Sequence, residues 1–323
     1  MRLSHVSSLS LWLLTALTTP VALGGSFQLP GAGNDLIGQV MVVRSRSDQT
    51  LLDIARAFGI GQEEMQLANP TVDRWLPGAD SVVVVPDRYI LPRGERRGLM
   101  LNLPEMRLYE FPGAKPGERN DSVVYTYPTS IGRMDWKTPL GQARIISKQR
   151  DPSWHPPESV RQEAAEAGNS LPDVVPPGPD NPLGRHALRL NLPGYLIHGT
   201  NRPFGVGMRV THGCVRMLPE DIEVLFERVT VGTPLQILNQ PVKVGWQDGV
   251  LYVEVHPPLD EDEEAQRNLM RYTLERVYEE LEKQPAVLDA KTLRQAVEQR
   301  NGIPVAVSRP DESARSISNP LFR

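Results

Sequence analysis

The segment between residues 96 and 239 is divided into short apolar or alternating stretches by turn residues, and this pattern restricts the fold most. Each stretch has the length and alternation of a single strand. Strands are expected over residues 99–102, 107–111, 122–126, 143–147, 187–190, 195–197 and 235–237. One helix is expected over 219–228, where Ile222, Leu225 and Phe226 share a face. Many short strands with one helix predict a mainly β domain, either a β-sandwich or a barrel-like core.

A proline-rich stretch over residues 151–181 interrupts these strands. It contains Trp154 and two Pro-Pro pairs, and it is too long for a plain connector. A lid or substrate loop is the sharper interpretation, and Trp154 is a candidate for substrate binding. A disordered insertion is the alternative.

Two further units flank the strand-rich segment. Residues 38–86 are expected to form a small α+β unit in the order strand–helix–helix–strand, with Gly59 ending the first helix. Residues 255–310 are expected to form a helical appendage, because apolar residues recur at helical spacing over 263–283 and a second helix is expected over 290–299. The simplest role for this appendage is packing against the core.

Residues 1–24 have the pattern of an export signal. Arg2 provides a positive start, residues 9–17 are mostly apolar, and Ala22-Leu23-Gly24 is a small-x-small cleavage pattern. The apolar run is shorter than the roughly 20 residues that a membrane-spanning helix needs. A buried N-terminal helix is the alternative. The mature protein is therefore expected outside the cytoplasm, without a membrane span or a lipid anchor.

Composition bears on partners and on redox chemistry. The formal net charge is −4, so no global positive field would attract nucleic acid. The chain has one cysteine, Cys214, and therefore cannot form an internal disulfide. A free thiol is a liability in an oxidising compartment unless it has a task. Composition alone leaves Cys214 as either a nucleophile or a small buried hydrophobic residue.

The neighbours of Cys214 favour the nucleophile. A thiol of pKa about 8.5 needs a base or a cation to react as the thiolate. His198 ends a predicted strand, and His212 lies two residues before Cys214, on the same side of an extended backbone. Arg216, two residues after Cys214, is a candidate for binding a substrate carboxylate.

Three nearby residues add to this set. The backbone N–H groups of Gly213 and Cys214 are candidates for stabilising an oxyanion. Thr211 is a candidate for fixing the tautomer of a neighbouring histidine, and Thr200 is a further candidate for substrate binding. The alternatives are a zinc site formed by His198, His212 and Cys214, or unrelated core residues.

Thr211-His212-Gly213-Cys214-Val215-Arg216, with fifteen residues between His198 and Cys214, resembles the signature of the L,D-transpeptidase catalytic domain, also called the YkuD domain. Thr138-Pro139-Leu140-Gly141 and Asn181-Pro182-Leu183-Gly184 are similar to other recurring segments of that family. The chain as a whole resembles the ErfK/YbiS/YcfS/YnhG group of Gram-negative periplasmic enzymes. Residues 38–86 resemble a LysM module, a glycan-binding domain of cell walls, at Thr50-Leu51, Ile54-Ala55, Phe58-Gly59 and Ala68-Asn69-Pro70. A structural spacer is the alternative for that unit.

The resemblance implies a YkuD-type β-sandwich over residues 96–239 and an acyl transfer without a metal or an organic cofactor. Cys214 would be the nucleophile and His198 the general base, Thr211 or His212 would orient the site, and Gly213 with Cys214 would form the oxyanion hole. A peptidoglycan tetrapeptide stem would be the acyl donor.

The acyl acceptor and the outcome are left open by the sequence. The acceptor would be a diaminopimelate side chain or the C-terminal lysine of an outer-membrane lipoprotein. Carbapenems would acylate the cysteine. A peptidoglycan hydrolase or carboxypeptidase that uses the same cysteine, and a non-catalytic wall-binding protein, are the competing hypotheses.

Overall fold

One closed β-sheet forms the centre of the molecule, with an α+β unit before it and another after it. The computed structural model describes residues 24–113 and 123–310. The predicted signal, residues 1–24, therefore lies outside the described residues except for Gly24.

The N-terminal part contains five strands and two short helices. They are β1 (Gly25–Gln28), β2 (Leu36–Gly38), β3 (Met41–Arg44), α1 (Leu51–Ala57), α2 (Gln62–Ala68), β4 (Val82–Val85) and β5 (Arg88–Ile90). β3 and β4 pair antiparallel, so the expected order strand–helix–helix–strand is present. Thr50 and Asp53 form a reciprocal capping box, which satisfies free N–H groups and starts α1 at Leu51. β1 was not expected, and it joins the central sheet.

Nine strands and two helices follow. They are β6 (Gly98–Asn102), β7 (Arg107–Phe111), β8 (Val123–Gly132), β9 (Gly141–Arg150), α3 (Glu158–Glu166), β10 (His186–Leu190), β11 (Leu196–His198), β12 (Arg209–Thr211), β13 (Val215–Met217), α4 (Pro219–Arg228) and β14 (Pro234–Leu238). All seven predicted strands are present, although β8 and β9 are longer than expected. The three-residue strands β12 and β13 and the helix α3 are additions.

The central sheet closes on itself. Its strand order is β8-β13-β11-β10-β9-β14-β6-β7, and β7 pairs back to β8. Closure leaves no free edge along this path, so the sheet is barrel-like and the mainly β prediction is confirmed. Apolar side chains from the strands and from α4 form one core, in which Leu99, Ile145 and Leu225 are fully buried.

The C-terminal part contains strands as well as the expected helices. It contains β15 (Val242–Gln247), β16 (Val250–Val255), α5 (Glu263–Lys283), β17 (Ala286–Leu288), α6 (Ala290–Gln299), β18 (Val305–Ala306) and β19 (Ser308–Pro310). Both predicted helices are confirmed at their expected bounds. β15 and β16 pair antiparallel, and their apolar residues share a core with α5 and α6. These strands place the start of the unit before residue 255.

None of the helices in residues 24–113 and 123–310 has both the length and the apolar content that a bilayer span requires.

Candidate active site

A cavity of about 350 Å³ opens beside β10, β11 and β13. Its walls combine residues of these strands with the proline-rich segment that was expected to be a lid. The predicted site residues that line it are Trp154, His198, Thr211, His212, Cys214 and Arg216. The fold therefore gathers most of the expected set around one space.

The backbone before Cys214 makes a sharp turn that glycine permits. Gly213 has φ +93°, a conformation that side chains rarely adopt, and a Cβ there would lie 2.8 Å from the Tyr195 ring. Thr138 Oγ1 donates to the Gly213 carbonyl at 2.9 Å, and Thr211 Oγ1 donates to the Cys214 carbonyl at 2.6 Å. These contacts hold the turn that presents the thiol at the start of β13.

The thiol of Cys214 is protonated at rest. Its Sγ donates to the Gly194 carbonyl at 3.6 Å. Burial raises the pKa of the Cys214 thiol, and the Leu196 N–H and the Arg216 charge oppose that rise. Neither His198 nor His212 forms a hydrogen bond with Sγ in the described structure. The described contacts therefore favour the protonated form of the thiol.

His198 is a neutral imidazole with a defined tautomer. Burial, together with the nearby Arg216 charge, lowers the pKa of His198 to about 4. Its Nδ1 lies 2.6 Å from the Gly199 carbonyl oxygen, which can only accept. Nδ1 therefore carries the proton, and the Nε2 lone pair is available to take a proton from a thiol. Gly199, not Thr211, fixes this tautomer.

His212 points to the lid segment. Its Nε2 lies 2.5 Å from Glu163 Oε2 on α3, and Arg133 Nη2 donates to the same oxygen at 2.6 Å. The Trp136 ring packs against the imidazole with 5.3 Å between centroids. His212 is therefore engaged in this contact rather than with the thiol, and the expectation of a second base beside Cys214 receives no support.

Arg216 supplies an unneutralised cation to the cavity. Parallel pairing of β11 and β13 sets it opposite His198. Burial and the neighbouring Arg202 charge lower the pKa of Arg216, and no carboxylate contributes to its environment in the described ranges. Its Nε is buried without a partner among those residues. Such a guanidinium suits an anionic substrate group.

Gly213 and Cys214 carry the backbone N–H groups beside the thiol. Among the described residues, neither group donates a turn or loop hydrogen bond to another backbone carbonyl. They are suited to donate hydrogen bonds to the negative oxygen of a tetrahedral intermediate.

The two remaining candidates for substrate binding, Thr200 and Trp154, differ in their position relative to the cavity. Thr200 is buried outside the cavity walls, and its Oγ1 accepts from the Arg202 N–H at 2.9 Å. This hydrogen bond stabilises the turn after β11. Trp154 lines the cavity. Its backbone N–H and carbonyl both bond those of Val175, and this pair joins the two ends of the lid segment.

The zinc alternative does not fit the geometry. His198, His212 and Cys214 do not gather their ligand atoms, since each has a different partner. Over the described part of the chain, the cluster with metal-binding spacing is Glu105, Glu254 and His256, away from the cavity. Lys243 Nζ already lies 2.8 Å from Glu105 and 2.7 Å from Glu254, so an ammonium occupies that position.

Sequence reasoning missed Glu163, Arg133 and the Gly199 carbonyl. Glu163 lies on a nine-residue helix inside the proline-rich segment, 49 residues from His212. No local spacing relates residues so far apart. The backbone role of Gly199 has no side-chain signal at all.

Comparison with solved structures gives weak overall similarity. L,D-transpeptidase 3 from Mycobacterium tuberculosis matches with a TM-score of 0.32 and 18% identity, covering 49% of this chain and 67% of that one. The catalytic domain of the Enterococcus faecium L,D-transpeptidase has a TM-score of 0.33 and 18% identity, over 46% of this chain and 100% of that one.

Sequence comparison is far stronger. "Probable L,D-transpeptidase YcfS" of Escherichia coli (strain K12) is 38% identical over 308 residues, covering 94% of each chain. "Probable L,D-transpeptidase YbiS" of the same strain is 38% identical over 290 residues, covering 88% of this chain and 92% of that protein. The family model for the L,D-transpeptidase catalytic domain, YkuD, matches residues 96–237, and that for the L,D-transpeptidase C-terminal domain matches residues 241–307. With its cysteine, its neutral histidine and these matches along nearly the whole length, the chain belongs to the L,D-transpeptidase family of acyltransferases.

Proposed function

We propose that this L,D-transpeptidase works in the periplasm and forms a thioester between Cys214 and a peptidoglycan tetrapeptide stem. The observation that carries the proposal is the neutral His198 with a free Nε2, which shares a cavity with the only cysteine of the chain. A base in that state can accept a proton as the thiol attacks.

The first half-reaction forms the thioester. Sγ of Cys214 attacks the carbonyl carbon of the third stem residue while its proton passes to His198 Nε2. The Gly213 and Cys214 N–H groups stabilise the oxyanion. The bond to the terminal D-alanine then breaks, and His198 returns the proton to the leaving amine. Arg216 binds a carboxylate of the stem.

The second half-reaction transfers the acyl group. An amine attacks the thioester, His198 removes a proton from it, and Cys214 leaves as the thiol. The acceptor is a diaminopimelate side chain or the C-terminal lysine of an outer-membrane lipoprotein. No step needs a metal or an organic cofactor.

The flanking units serve delivery and localisation in this proposal. Residues 1–24 direct export, and residues 38–86 act as a LysM-like module that contacts glycan. The C-terminal unit, which begins with β15 at Val242, packs as an appendage beside the catalytic domain of residues 96–239. The strand–helix–helix–strand order of the second unit supports the LysM-like assignment.

Purified protein, disaccharide tetrapeptide and a carbapenem test the proposal. Release of D-alanine with formation of cross-linked dimer is expected, together with addition of the carbapenem mass to Cys214. C214A should lose both reactions. Retention of full cross-linking by C214A would overturn the mechanism.

The acceptor is tested with the same donor and three conditions: a second stem, a peptide ending in lysine, and no amine. A product with one amine identifies the acceptor. Shortened stems alone in every condition would identify a hydrolase or carboxypeptidase. A protein that binds wall fragments without either reaction, and without a carbapenem adduct, would be a non-catalytic binder.

A further inference from the structure

The Glu163 carboxylate joins the helix α3 of the lid segment to residues beside Cys214. Glu163 Oε2 lies 2.5 Å from His212 Nε2 and 2.6 Å from Arg133 Nη2. Hydrogen bonds from Arg133 and His212 lower the pKa of Glu163 to about 2, so the group is a carboxylate at neutral pH. It therefore joins three parts of the chain that are distant in sequence.

His212 is one residue from the groups that would stabilise the oxyanion. Gly213 follows it in a left-handed conformation, with its carbonyl held by Thr138. A Cβ at Gly132 would lie 3.0 Å from Gly213 Cα, so the turn is closely surrounded on that side. The His212 side chain is the point at which the turn is attached to the lid.

The contact contributes little to folding. The side chains of Arg133 and Glu163 are 36% and 43% exposed. Exposed ion pairs contribute little to the free energy of folding, because solvent screens their charges. The contact joins the lid to the turn that carries Cys214 but adds little stability. Its role therefore lies in the geometry of the site.

The lid segment also forms one wall of the cavity. Trp154, Pro157 and Val160 line it, and Val160 lies on the same helix as Glu163. The position of α3 therefore sets both the shape of the cavity and the surroundings of His212.

We infer that Glu163 is a positioning residue for acylation of Cys214. It holds α3 against His212 and so fixes the backbone of Gly213 and Cys214 at the angle that the oxyanion requires. This inference rests on the proposed function, because it assigns Glu163 a part in the same thioester-forming step.

E163Q tests the inference, with E166Q as its matched control on the exposed side of the same helix. The rate of Cys214 acylation by a carbapenem is followed by mass, and the melting temperature is measured in parallel. E163Q should acylate about tenfold more slowly because it loses charge-assisted hydrogen bonds. Its melting temperature should stay within a few degrees of the parent, and E166Q should match the parent in both measurements.

H212Q and the double variant E163Q/H212Q complete the test. If Glu163 acts through His212, the double variant is no slower than H212Q alone. Independent, multiplying losses would overturn the inference, as would an E163Q rate within twofold of the parent or a large fall in its melting temperature. A parent protein that takes up no carbapenem would instead overturn the proposed function, and this inference with it.

Discussion

His198 lies directly opposite Arg216 in the parallel register of β11 and β13, so a buried imidazole and a guanidinium share one wall of the cavity. Burial lowers the pKa of His198, and the Arg216 charge lowers it further. The same charge opposes the rise that burial causes in the pKa of the Cys214 thiol. One guanidinium therefore helps to keep the base unprotonated and assists ionisation of the nucleophile.

The pH dependence of acylation follows from this pair. His198 is competent as a base only when unprotonated, and burial with the Arg216 charge lowers its pKa to about 4. The second-order rate constant for carbapenem acylation should fall with decreasing pH around a midpoint near pH 4 rather than near the ordinary imidazole pKa of about 6.5. Measuring that rate between pH 3.5 and 8 at constant ionic strength checks this, and a midpoint at or above the ordinary value would contradict it.

R216Q should slow acylation of Cys214 and shift the pH at which the acylation rate falls. Removing the guanidinium leaves burial as the main influence on Cys214, so the pKa of the thiol rises further, while the pKa of His198 rises toward its ordinary value. Loss of one stabilising charge is expected to cost about 10–100-fold in the rate. The midpoint of the pH profile should move to higher pH, because the pKa of His198 rises. An unchanged profile would mean that Arg216 does not influence His198.

The parts of the fold with local periodicity were predictable from sequence. α4 and α6 begin and end at their expected residues because their apolar positions recur at helical spacing beside acidic first turns or caps. The strands β12 and β13 have three residues each, too few for alternation to be detected. They are defined by pairing with β8 and β11.

The site shows the same division. Cys214 and His198 were identifiable because an unusual cluster of reactive residue types surrounds the only cysteine. The partner of His212 was not, since Glu163 meets it only after the lid segment folds over the cavity. Thr211 was expected beside a histidine but bonds the Cys214 carbonyl, a difference of side-chain rotation that spacing does not encode.

Asp221 should make the folded protein less stable as pH rises. It is fully buried on α4, with the Gly24 N–H donating to Oδ1 at 2.9 Å and Oδ2 unpartnered within the described ranges. Burial raises the pKa of Asp221 to about 7. A raised folded-state pKa contributes stability below the unfolded value of about 3.9, and that stability is lost as pH rises through about 7.

D221N tests that effect. The variant should be more stable than the parent by about 4 kcal/mol at pH 8, and nearly equal to it at pH 4, because asparagine carries no charge to bury. Urea unfolding at both pH values measures the difference, with the exposed D180N as control. Equal effects of D221N at the two pH values would show that Asp221 is not protonated on folding.

The substitution G207A tests the contact between the N-terminal unit and the loop that leads to Cys214. The N–H groups of Gln62 and Glu63, at the start of α2, donate to the Val206 and Gly207 carbonyls at 3.2 and 3.0 Å. A Cβ at Gly207 would lie 2.3 Å from Gln62 N and 2.4 Å from Gly61 Cα, both backbone atoms that cannot rotate away. G207A must therefore strain its own backbone, at φ +88°, and separate the two surfaces.

The matched control is G249A, since Gly249 has φ +78° and open space around its Cβ position. In G249A the free energy of unfolding should fall by about 1 kcal/mol, the cost of a left-handed backbone at alanine. In G207A it should fall by about 1–3 kcal/mol more, because the added methyl group overpacks the contact. Chemical denaturation of both variants gives the comparison. G207A should also slow carbapenem acylation, because the displaced loop continues through β12 into the Thr211–Cys214 turn. If the two alanines destabilise the protein equally, the N-terminal unit can move to accommodate the added methyl group. If acylation is also unchanged, this contact does not support the turn that carries Cys214.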